Sequence, residues 1–332
     1  MMKALLFGNR IFSTDMLWGF QQVGWEAQIV NPATGEQMDR ILKDNNPDLL
    51  LTMGAPVEYK RDVLETIGRR HTPRMKYIHW DTDGISSKDY QSVSGDGIEM
   101  DLIYLSKPDL VLTICPEMLE FVRGKGYPCE KMEYAYSPLT HHPMSGYENT
   151  EYYINMLGNA YKEFHQQSPD HYRCQSIKIL IKPLLDNGYT VHFRGDNGYL
   201  SLLKAVINVN VPPQFHHGYL QYEKTCALYN SSFINLVTQN HDKTITKRTF
   251  EILGSGGFAL SADNAGIRSL FTPGRDLAVS SSPAQTLEMV EYYKSNPDKW
   301  REIRKNAVNA VQNHTYKQRA EYIQGLCQKY WP

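Results

Sequence analysis

Short apolar runs that end in glycine, proline or polar turns alternate with amphipathic stretches along the whole chain. This alternation is typical of βαβ units, in which each buried strand is followed by a helix that returns the chain to a parallel neighbour. At 332 residues the chain is long for one hydrophobic core. The sequence therefore predicts an α/β protein with more than one parallel sheet. In the first half the predicted strands are Lys3–Phe7, Asp48–Met53, Met75–Trp80, Asp109–Ile114 and Lys131–Tyr136.

The same rhythm restarts after residues 137–146, a segment rich in turn formers that we interpret as a linker. From Pro283 onward the pattern is helical, and Pro297 begins a long final helical segment. We therefore expect one doubly wound domain over residues 1–140, a second over 147–312 and a C-terminal helix over 313–332. In the second half the predicted strands are Tyr152–Leu157, Tyr189–Phe193, Ser232–Leu236, Gly257–Ser261 and Asp276–Ser280.

The bulk composition argues against several functional classes. The formal net charge is -1, so no general basic field favours nucleic acid or an anionic membrane surface. The five cysteines are scattered without a C-x-x-C pair, which suggests neither a disulfide framework nor a zinc site. The first apolar run is too short for a signal peptide, and no segment approaches the ~20 apolar residues of a membrane span. We expect a cytoplasmic protein that does not span a membrane.

Residues 246–261 carry the clearest functional signal. They form a basic turn with Lys247 and Arg248, a short helix that bears Glu251, a glycine pair and a buried strand. This layout places cations and one carboxylate on a helix, close to glycines where the backbone can approach a ligand.

This segment resembles the nucleotide-sugar signature of the CgeB-like (spore-maturation-type) glycosyltransferases, roughly R-x-F-E-x-x-x-x-G-G-F-x-L. The resemblance implies a GT-B fold, in which two Rossmann-like, doubly wound domains face each other across a cleft and the last helix crosses back to the first domain. Weaker matches follow the family's order along the chain: Tyr77–Asp83, Asn155–Tyr161, Gly218–Leu220, Leu228–Ser232, Phe271–Asp276, His314–Tyr316 and Arg319.

The resemblance also implies an activity, the transfer of a sugar from a nucleotide-diphosphate donor to a hydroxyl of a glycan, protein or other acceptor. A UDP-sugar is the leading candidate for the donor. Such enzymes usually stabilise the departing diphosphate with a basic side chain and a helix N-terminus rather than a metal. Arg248 and Lys247 are the candidates for that role, with Arg248 as a catalytic residue, and Glu251 would accept hydrogen bonds from the ribose. The alternative is a surface basic pair, with Glu251 paired to Lys247 one helical turn away.

Other residues of the second half are candidates for the same donor site. Gly158 and Asn159, at a strand end, can hold phosphate with backbone N–H groups or can form a plain turn. Arg194, at the end of the next strand, is a candidate phosphate or base contact. Gly256 and Gly257 allow close backbone approach, either to phosphate or to another part of the chain.

In the first half, Asp81 and Asp83 form a D-x-D pair, which binds a metal in the other glycosyltransferase architecture, GT-A. Because this pair lies in the half that should face the acceptor, we predict that it binds no metal, and we expect no cofactor. Asp81 is a candidate general base for the acceptor hydroxyl, Asp83 a candidate Asx-turn former, and His79 a core histidine.

One departure from the GT-B pattern leaves the stereochemistry open. Many retaining enzymes carry a second glutamate eight residues before the ribose-binding one, and Lys243 stands there. Two other functions on this fold remain alternatives: a nucleotide-sugar 2-epimerase-like enzyme, and a non-catalytic sugar- or coat-associated binding protein. A nucleic-acid glucosyltransferase is disfavoured by the near-neutral charge.

Overall fold

The computed structural model describes residues 2–54, 59–69, 74–84, 93–146, 153–160, 170–196 and 198–332; Tyr152 and Tyr161 of the predicted segments lie outside them. The chain forms two compact units. One comprises Met1–Glu133 with Thr315–Pro332, and the other comprises Tyr134–His314. Each unit contains its own parallel sheet with helices, which confirms the predicted α/β class.

The first unit is built on a six-stranded parallel sheet in the order β2-β1-β3-β4-β5-β6. Its strands are β1 (Lys3–Gly8), β2 (Glu26–Ile29), β3 (Leu49–Met53), β4 (Lys76–Asp81), β5 (Leu110–Thr113) and β6 (Cys129–Lys131). Its helices are α1 (Arg10–Gln22), α2 (Gly35–Asn45), α3 (Arg61–Arg69), α4 (Ile98–Ser106), α5 (Pro116–Gly124) and the C-terminal α14 (Tyr316–Tyr330).

Two strands of this sheet differ from the predictions. The edge strand β2 was not predicted, because its four residues alternate in burial and include no continuous apolar run. The predicted strand Lys131–Tyr136 is wrong, since the last strand ends at Lys131. Met132 and the run Tyr134–Tyr136 are buried, as in a strand, but they follow the sheet as a connection.

The C-terminal helix α14 packs against α1 within the first unit. A Cβ on Gly19 of α1 would lie 2.3 Å from the carbonyl oxygen of Tyr316, so glycine permits the close approach of the two helices. Thr315 and Gln318 form a capping box at the start of α14. Arg319 fastens the helix further, because its Nε donates to the Glu133 carbonyl at 2.7 Å.

The second unit contains a five-stranded parallel sheet in the order β11-β10-β9-β7-β8. All five strands predicted in this half are present, each beginning two residues later than predicted. They are β7 (Ile154–Leu157), β8 (Val191–Arg194), β9 (Ile234–Val237), β10 (Ala259–Ala262) and β11 (Ala278–Ser280). The helices are α6 (Tyr172–Leu180), α7 (Lys182–Asp186), α8 (Tyr199–Ile207), α9 (Thr225–Ser231), α10 (Lys247–Gly254), α11 (Ala265–Leu270), α12 (Pro283–Ser295) and α13 (Pro297–Val311).

The parallel strands of the second unit bring polar loops to one edge of its sheet. Residues 158–160 follow β7, residues 195–196 follow β8 and residues 238–240 follow β9, and β7 lies between β8 and β9. In doubly wound sheets ligands bind outside the carboxyl ends of the strands, where the strand order reverses. This edge, which we call the carboxyl edge, therefore positions the candidate site. Among the described residues no helix combines the length and apolar character needed to cross a membrane.

Candidate functional site

Helix α10 begins at the carboxyl edge, after the loop that follows β9, and a buried glutamine fixes its start. Gln239 is 0% exposed; its Oε1 accepts from the N–H of Thr246 at 2.9 Å, and its Nε2 donates to the hydroxyl of Thr249 at 3.1 Å. Lys247 and Arg248 therefore stand in the first turn of the helix. The predicted basic turn is thus the first turn of the helix itself, and both cations lie on the same helix as Glu251.

Lys247, Glu251 and Tyr222 form a hydrogen-bonded cluster on α10 and the short 3₁₀ turn that precedes α9. Lys247 Nζ lies 2.5 Å from Glu251 Oε1 and 2.5 Å from the Tyr222 hydroxyl, which itself donates to Glu251 Oε1 at 2.9 Å. Burial acts to raise the pKa of Glu251, but the Lys247 charge and these hydrogen bonds outweigh it and hold the pKa at about 2. Glu251 is thus ionised and held in one orientation, and both hydrogen bonds fall on Oε1.

His141 packs beside this cluster from the linker segment. It is 0% exposed, and its ring lies 5.2 Å from the Tyr222 ring and 5.9 Å from the Tyr229 ring, measured between centroids. The Thr225 hydroxyl donates its proton to the Tyr222 carbonyl, so it can only accept from His141. His141 Nε2 is therefore protonated and donates to Thr225 Oγ1 at 2.9 Å. Burial lowers the pKa of His141 to about 4, and the ring is neutral at physiological pH. His141 lies in a turn-rich segment, and nothing in the sequence indicates that it is buried.

Arg248 lies beside two buried tyrosines of the same unit. Burial raises the pKa of Tyr199 and of Tyr229, and the Arg248 charge opposes the rise at both hydroxyls. Tyr199 is the first residue of α8, which follows β8. Arg248 is half-buried and stands in the first turn of α10, the helix that begins at the carboxyl edge.

Arg173 is a residue of this edge that the sequence analysis missed. It stands in the first turn of α6 and is 4% exposed. Its Nη2 donates to the carbonyl of Asn159, and its Nη1 donates to Oδ1 of Asn240 at 3.3 Å. It therefore joins the loops that follow β7 and β9. An arginine in an amphipathic helix gives no local signal that distinguishes a buried position from a surface one.

The loops after β7 and β8 pack backbone against backbone. The N–H of Gly158 donates to the Arg194 carbonyl at 2.9 Å, and a Cβ on Gly195 would lie 1.7 Å from the Gly158 carbonyl oxygen. Because the Gly158 N–H is engaged, it does not contribute to the phosphate cradle that the sequence suggested. Among the described residues the Asn159 N–H has no hydrogen bond. Arg194 ends β8 beside Tyr153.

Gly256 and Gly257 lie elsewhere, because they precede β10 and parallel strands start at the edge opposite the carboxyl edge. A Cβ on Gly257 would lie 2.7 Å from the Tyr229 carbonyl oxygen, and Gly256 has φ +71°. Of the two roles left open for these glycines, the structure favours close packing. It does not bring them together with Arg248.

In the first unit, Asp81 shapes the turn that the sequence analysis assigned to Asp83. Asp81 is 0% exposed; its Oδ1 accepts from the N–H groups of Asp83 at 2.9 Å and Gly84 at 2.8 Å, and its Oδ2 accepts from the Thr113 hydroxyl at 2.7 Å. Burial, with the nearby Glu99, raises the pKa of Asp81 to about 6. Oδ1 is engaged by the loop and Oδ2 by Thr113 of β5, which favours a structural role for Asp81. That Asp81 is the base for the acceptor hydroxyl stays a prediction.

His79 is a core histidine, as predicted. It is 0% exposed, and its Nδ1 and Nε2 lie 2.7 Å from the Thr52 hydroxyl and 2.7 Å from Glu99 Oε1. Burial lowers the pKa of His79 to about 4 and raises the pKa of Glu99 to about 8. The pair is therefore neutral, with a protonated Glu99 that donates to His79.

A comparison with protein-family models finds a match over most of the second unit and part of the C-terminal helix. Residues 173–325 match a family model described as "Glycosyl transferase-like", a span that contains Arg173 and the whole of α10. A comparison with curated proteins finds no match.

Solved structures resemble the whole chain at low sequence identity. Sucrose-phosphate synthase from Thermosynechococcus elongatus has a TM-score of 0.69 and 9% identity over 99% of each chain. Anabaena HepE, in complex with UDP and glucose, has a TM-score of 0.66 and 10% identity over 99% of this chain and 100% of that one. AviGT4, a glycosyltransferase involved in avilamycin A biosynthesis, has a TM-score of 0.59 and 11% identity, covering 99% and 98%.

At these identities the likeness shows the fold, and it confirms the predicted GT-B class of two Rossmann-like domains. The family match and the shared fold together support a glycosyltransferase enzyme.

Proposed function

We propose that the protein transfers a sugar from a nucleotide-diphosphate donor, a UDP-sugar, to a hydroxyl acceptor without a divalent metal. The donor binds at the carboxyl edge of the second unit. The observation that carries this proposal is the buried, ionised Glu251 one turn from Arg248 on a helix that starts at this edge. Membership of the CgeB-like group is part of the proposal, on the strength of the signature around Arg248.

Glu251 is suited to bind the ribose of the donor. Its Oε1 accepts the hydrogen bonds of Lys247 and Tyr222, and neither bond falls on Oε2. A carboxylate oxygen has two acceptor sites, and a charged acceptor makes stronger hydrogen bonds than a neutral one. Oε2 is therefore the atom that would accept from the sugar hydroxyls.

Arg248 is suited to the diphosphate, which gains negative charge as the bond to the sugar breaks. A guanidinium donates two parallel hydrogen bonds to a phosphate, and the N-terminus of a helix adds a favourable dipole. A fixed positive charge at the leaving group lowers the barrier without a metal. Because the Lys247 amino group contacts Glu251 and Tyr222, we assign Lys247 to holding the carboxylate rather than the phosphates.

UDP is proposed as the nucleotide because the Anabaena HepE structure, which shares this fold, contains UDP and glucose. Sugar identity and acceptor depend on loops that vary among proteins of one fold.

Thermal unfolding with UDP, GDP, ADP, dTDP and CMP, in magnesium or in EDTA, tests this proposal. Binding stabilises by mass action, about 2.7 kcal/mol for a ligand at ~100 times its dissociation constant. We expect UDP to raise Tm equally in both conditions and Arg248→Ala to abolish the shift. Arg301→Ala is the matched control, because Arg301 is exposed and pairs with Asp298 on α13. A magnesium-dependent shift would contradict metal independence, and no shift with any nucleotide would contradict the proposal.

Acceptor dependence separates transfer from epimerisation. A transferase releases free nucleoside diphosphate in proportion to added acceptor, whereas an epimerase needs no acceptor. Release that is independent of every acceptor offered would favour the second activity.

A further inference from the structure

Part of the linker lies along helix α9 of the second unit. The His141 side chain meets Thr225, the first residue of the helix, and the N–H of Met144 donates to Oδ1 of Asn230 at 3.0 Å. These two contacts are separated by more than one turn of α9. Residues 141–144 are therefore packed on the helix, although their sequence is that of a turn-rich connection.

His141 holds Tyr222, which begins the 3₁₀ turn before α9, in two ways. His141 Nε2 donates to Thr225 Oγ1 at 2.9 Å, and Thr225 Oγ1 donates to the Tyr222 carbonyl at 2.6 Å. The His141 ring also packs edge-on against the Tyr222 ring, at 5.2 Å between centroids and 70° between planes. The backbone and the ring of Tyr222 are thus both held by contacts that lead to the linker.

Tyr222 carries these contacts to Glu251, the carboxylate that we propose for the ribose. Its hydroxyl donates to Glu251 Oε1 at 2.9 Å. Tyr222–Lys224 is a single 3₁₀ turn, and the hydrogen-bond geometry of such turns is poor, so its position depends on neighbouring contacts. Loss of the Tyr222 contact would remove one of the hydrogen bonds that hold Oε1 and let the carboxylate turn.

Packing alone does not account for a histidine at position 141. The side chain is 0% exposed, and its Nδ1 has no hydrogen-bond partner among the described residues. A buried acceptor without a partner costs free energy, and a phenylalanine ring would fill similar space without that cost. What the histidine adds is the Nε2–H group that donates to Thr225.

We infer that His141 is a positioning residue for nucleoside binding, which acts on Glu251 through the turn before α9. The inference rests on the proposed function and deepens it, because it makes the linker part of the donor site. Coupling between two binding events is reciprocal, so a nucleoside that Glu251 holds must in turn stabilise the contact of the linker with α9.

Isothermal titration calorimetry of the full chain with UDP and uridine tests the inference. His141→Phe keeps a ring but loses the donor, and we expect it to weaken both ligands about fivefold, which corresponds to one ordinary hydrogen bond. Thr225→Val removes the same hydrogen bond from the other side and should have a similar effect. His141→Gln keeps an N–H donor and should restore most of the affinity. His142→Phe, at the exposed neighbouring position, is the matched control.

A double-mutant cycle separates positioning from a general loosening of the unit. If His141 acts through Glu251, His141→Phe should have little further effect on UDP affinity in a Glu251→Gln background. The same fivefold loss in both backgrounds would mean that His141 only supports the fold, and the inference would be wrong.

Hydrogen exchange supplies a measurement on wild type, which also decides the matter if the His141 variants do not fold. Uridine should slow exchange of the amides of residues 141–144 as well as those of α10. Protection of α10 without protection of the linker would contradict the inference.

The failure of this inference differs from the failure of the proposed function. If wild type binds UDP, and His141→Phe binds UDP and uridine equally well, the inference is wrong and the proposed function stands. If wild type binds neither ligand, the proposed function fails and the inference with it.

Discussion

The amino group of Lys247 lies 2.5 Å from Oε1 of Glu251, one helical turn away, and the two side chains are only 11% and 7% exposed. A buried ion pair gains little over an apolar pair, but a partner left alone in the interior is costly. The pair is therefore a strong constraint: it fixes the charge and the orientation of the carboxylate that we propose for the ribose.

Removal of the lysine tests that constraint on stability. Lys247→Met should lower the free energy of unfolding by about 3 kcal/mol, because Glu251 would stay buried without its partner. Urea unfolding measures the change, and Lys305→Met, at an exposed position, is the control. In the double variant Lys247→Met/Glu251→Gln part of the loss should return. A loss below about 1 kcal/mol in the single variant would contradict a buried pair.

Glu251→Gln tests the ribose contact. The amide has nearly the same size but is a weaker acceptor, so affinity should fall about tenfold for UDP and by a similar factor for uridine. Arg248→Ala should differ, with a large loss for UDP and little for uridine. Calorimetry with both ligands measures the contrast. Equal uridine affinity in Glu251→Gln and wild type would show that Glu251 does not hold the ribose.

Much of the second unit follows from its sequence, because its strands are continuous apolar runs bounded by turns. The i,i+4 spacing of Lys247 and Glu251 also predicts their pairing. Arg173 could not be found, since its partners are 14 and 67 residues away and no local pattern marks a buried arginine. The position of the glycine pair could be predicted from the fold. Because a helix that starts at the carboxyl edge ends at the other edge, Gly256 and Gly257 lie away from Arg248.

The acid–histidine pair of the first unit predicts a pH dependence of stability. Glu99 donates to His79, whose Nδ1–H continues the chain through the hydroxyls of Thr52 and Tyr77. Burial raises the pKa of Glu99 to about 8, so its contribution to stability is complete below its ordinary pKa and is lost as pH rises through 8. The lowered pKa of His79 has the opposite effect on stability. The stability that neutral His79 contributes is lost as the pH falls from the ordinary pKa of histidine to about 4.

Glu99→Gln isolates the first of these effects, because the amide can still donate to His79 and does not titrate. We expect the variant to be more stable than wild type at pH 8, with the difference shrinking towards pH 5. Urea unfolding at pH 5, 6, 7 and 8 gives the comparison. A variant that is less stable than wild type at pH 8 would mean that Glu99 is ionised in the folded protein.

The close contact of the β7 and β8 loops predicts a second effect on stability. Gly195→Ala places a Cβ 1.7 Å from the Gly158 carbonyl oxygen at φ +150°, so the loops must move apart. Gly188→Ala also meets a positive φ, of +78°, but has no atom within 4 Å of the new Cβ, which makes it the control for a positive φ without a steric clash. We expect Gly195→Ala to cost about 2 kcal/mol more than the control and to weaken UDP binding. Equal costs would show that the loops separate freely.

A crystal structure with UDP in EDTA shows directly whether a nucleoside diphosphate binds at the carboxyl edge of the second unit. We predict phosphate oxygens within hydrogen-bond distance of Arg248 and ribose hydroxyls on Glu251, with no metal. UDP seated elsewhere would contradict the account, for example in the groove of about 430 Å³ beside Gly256, Trp300 and Arg304 at the opposite edge of the sheet.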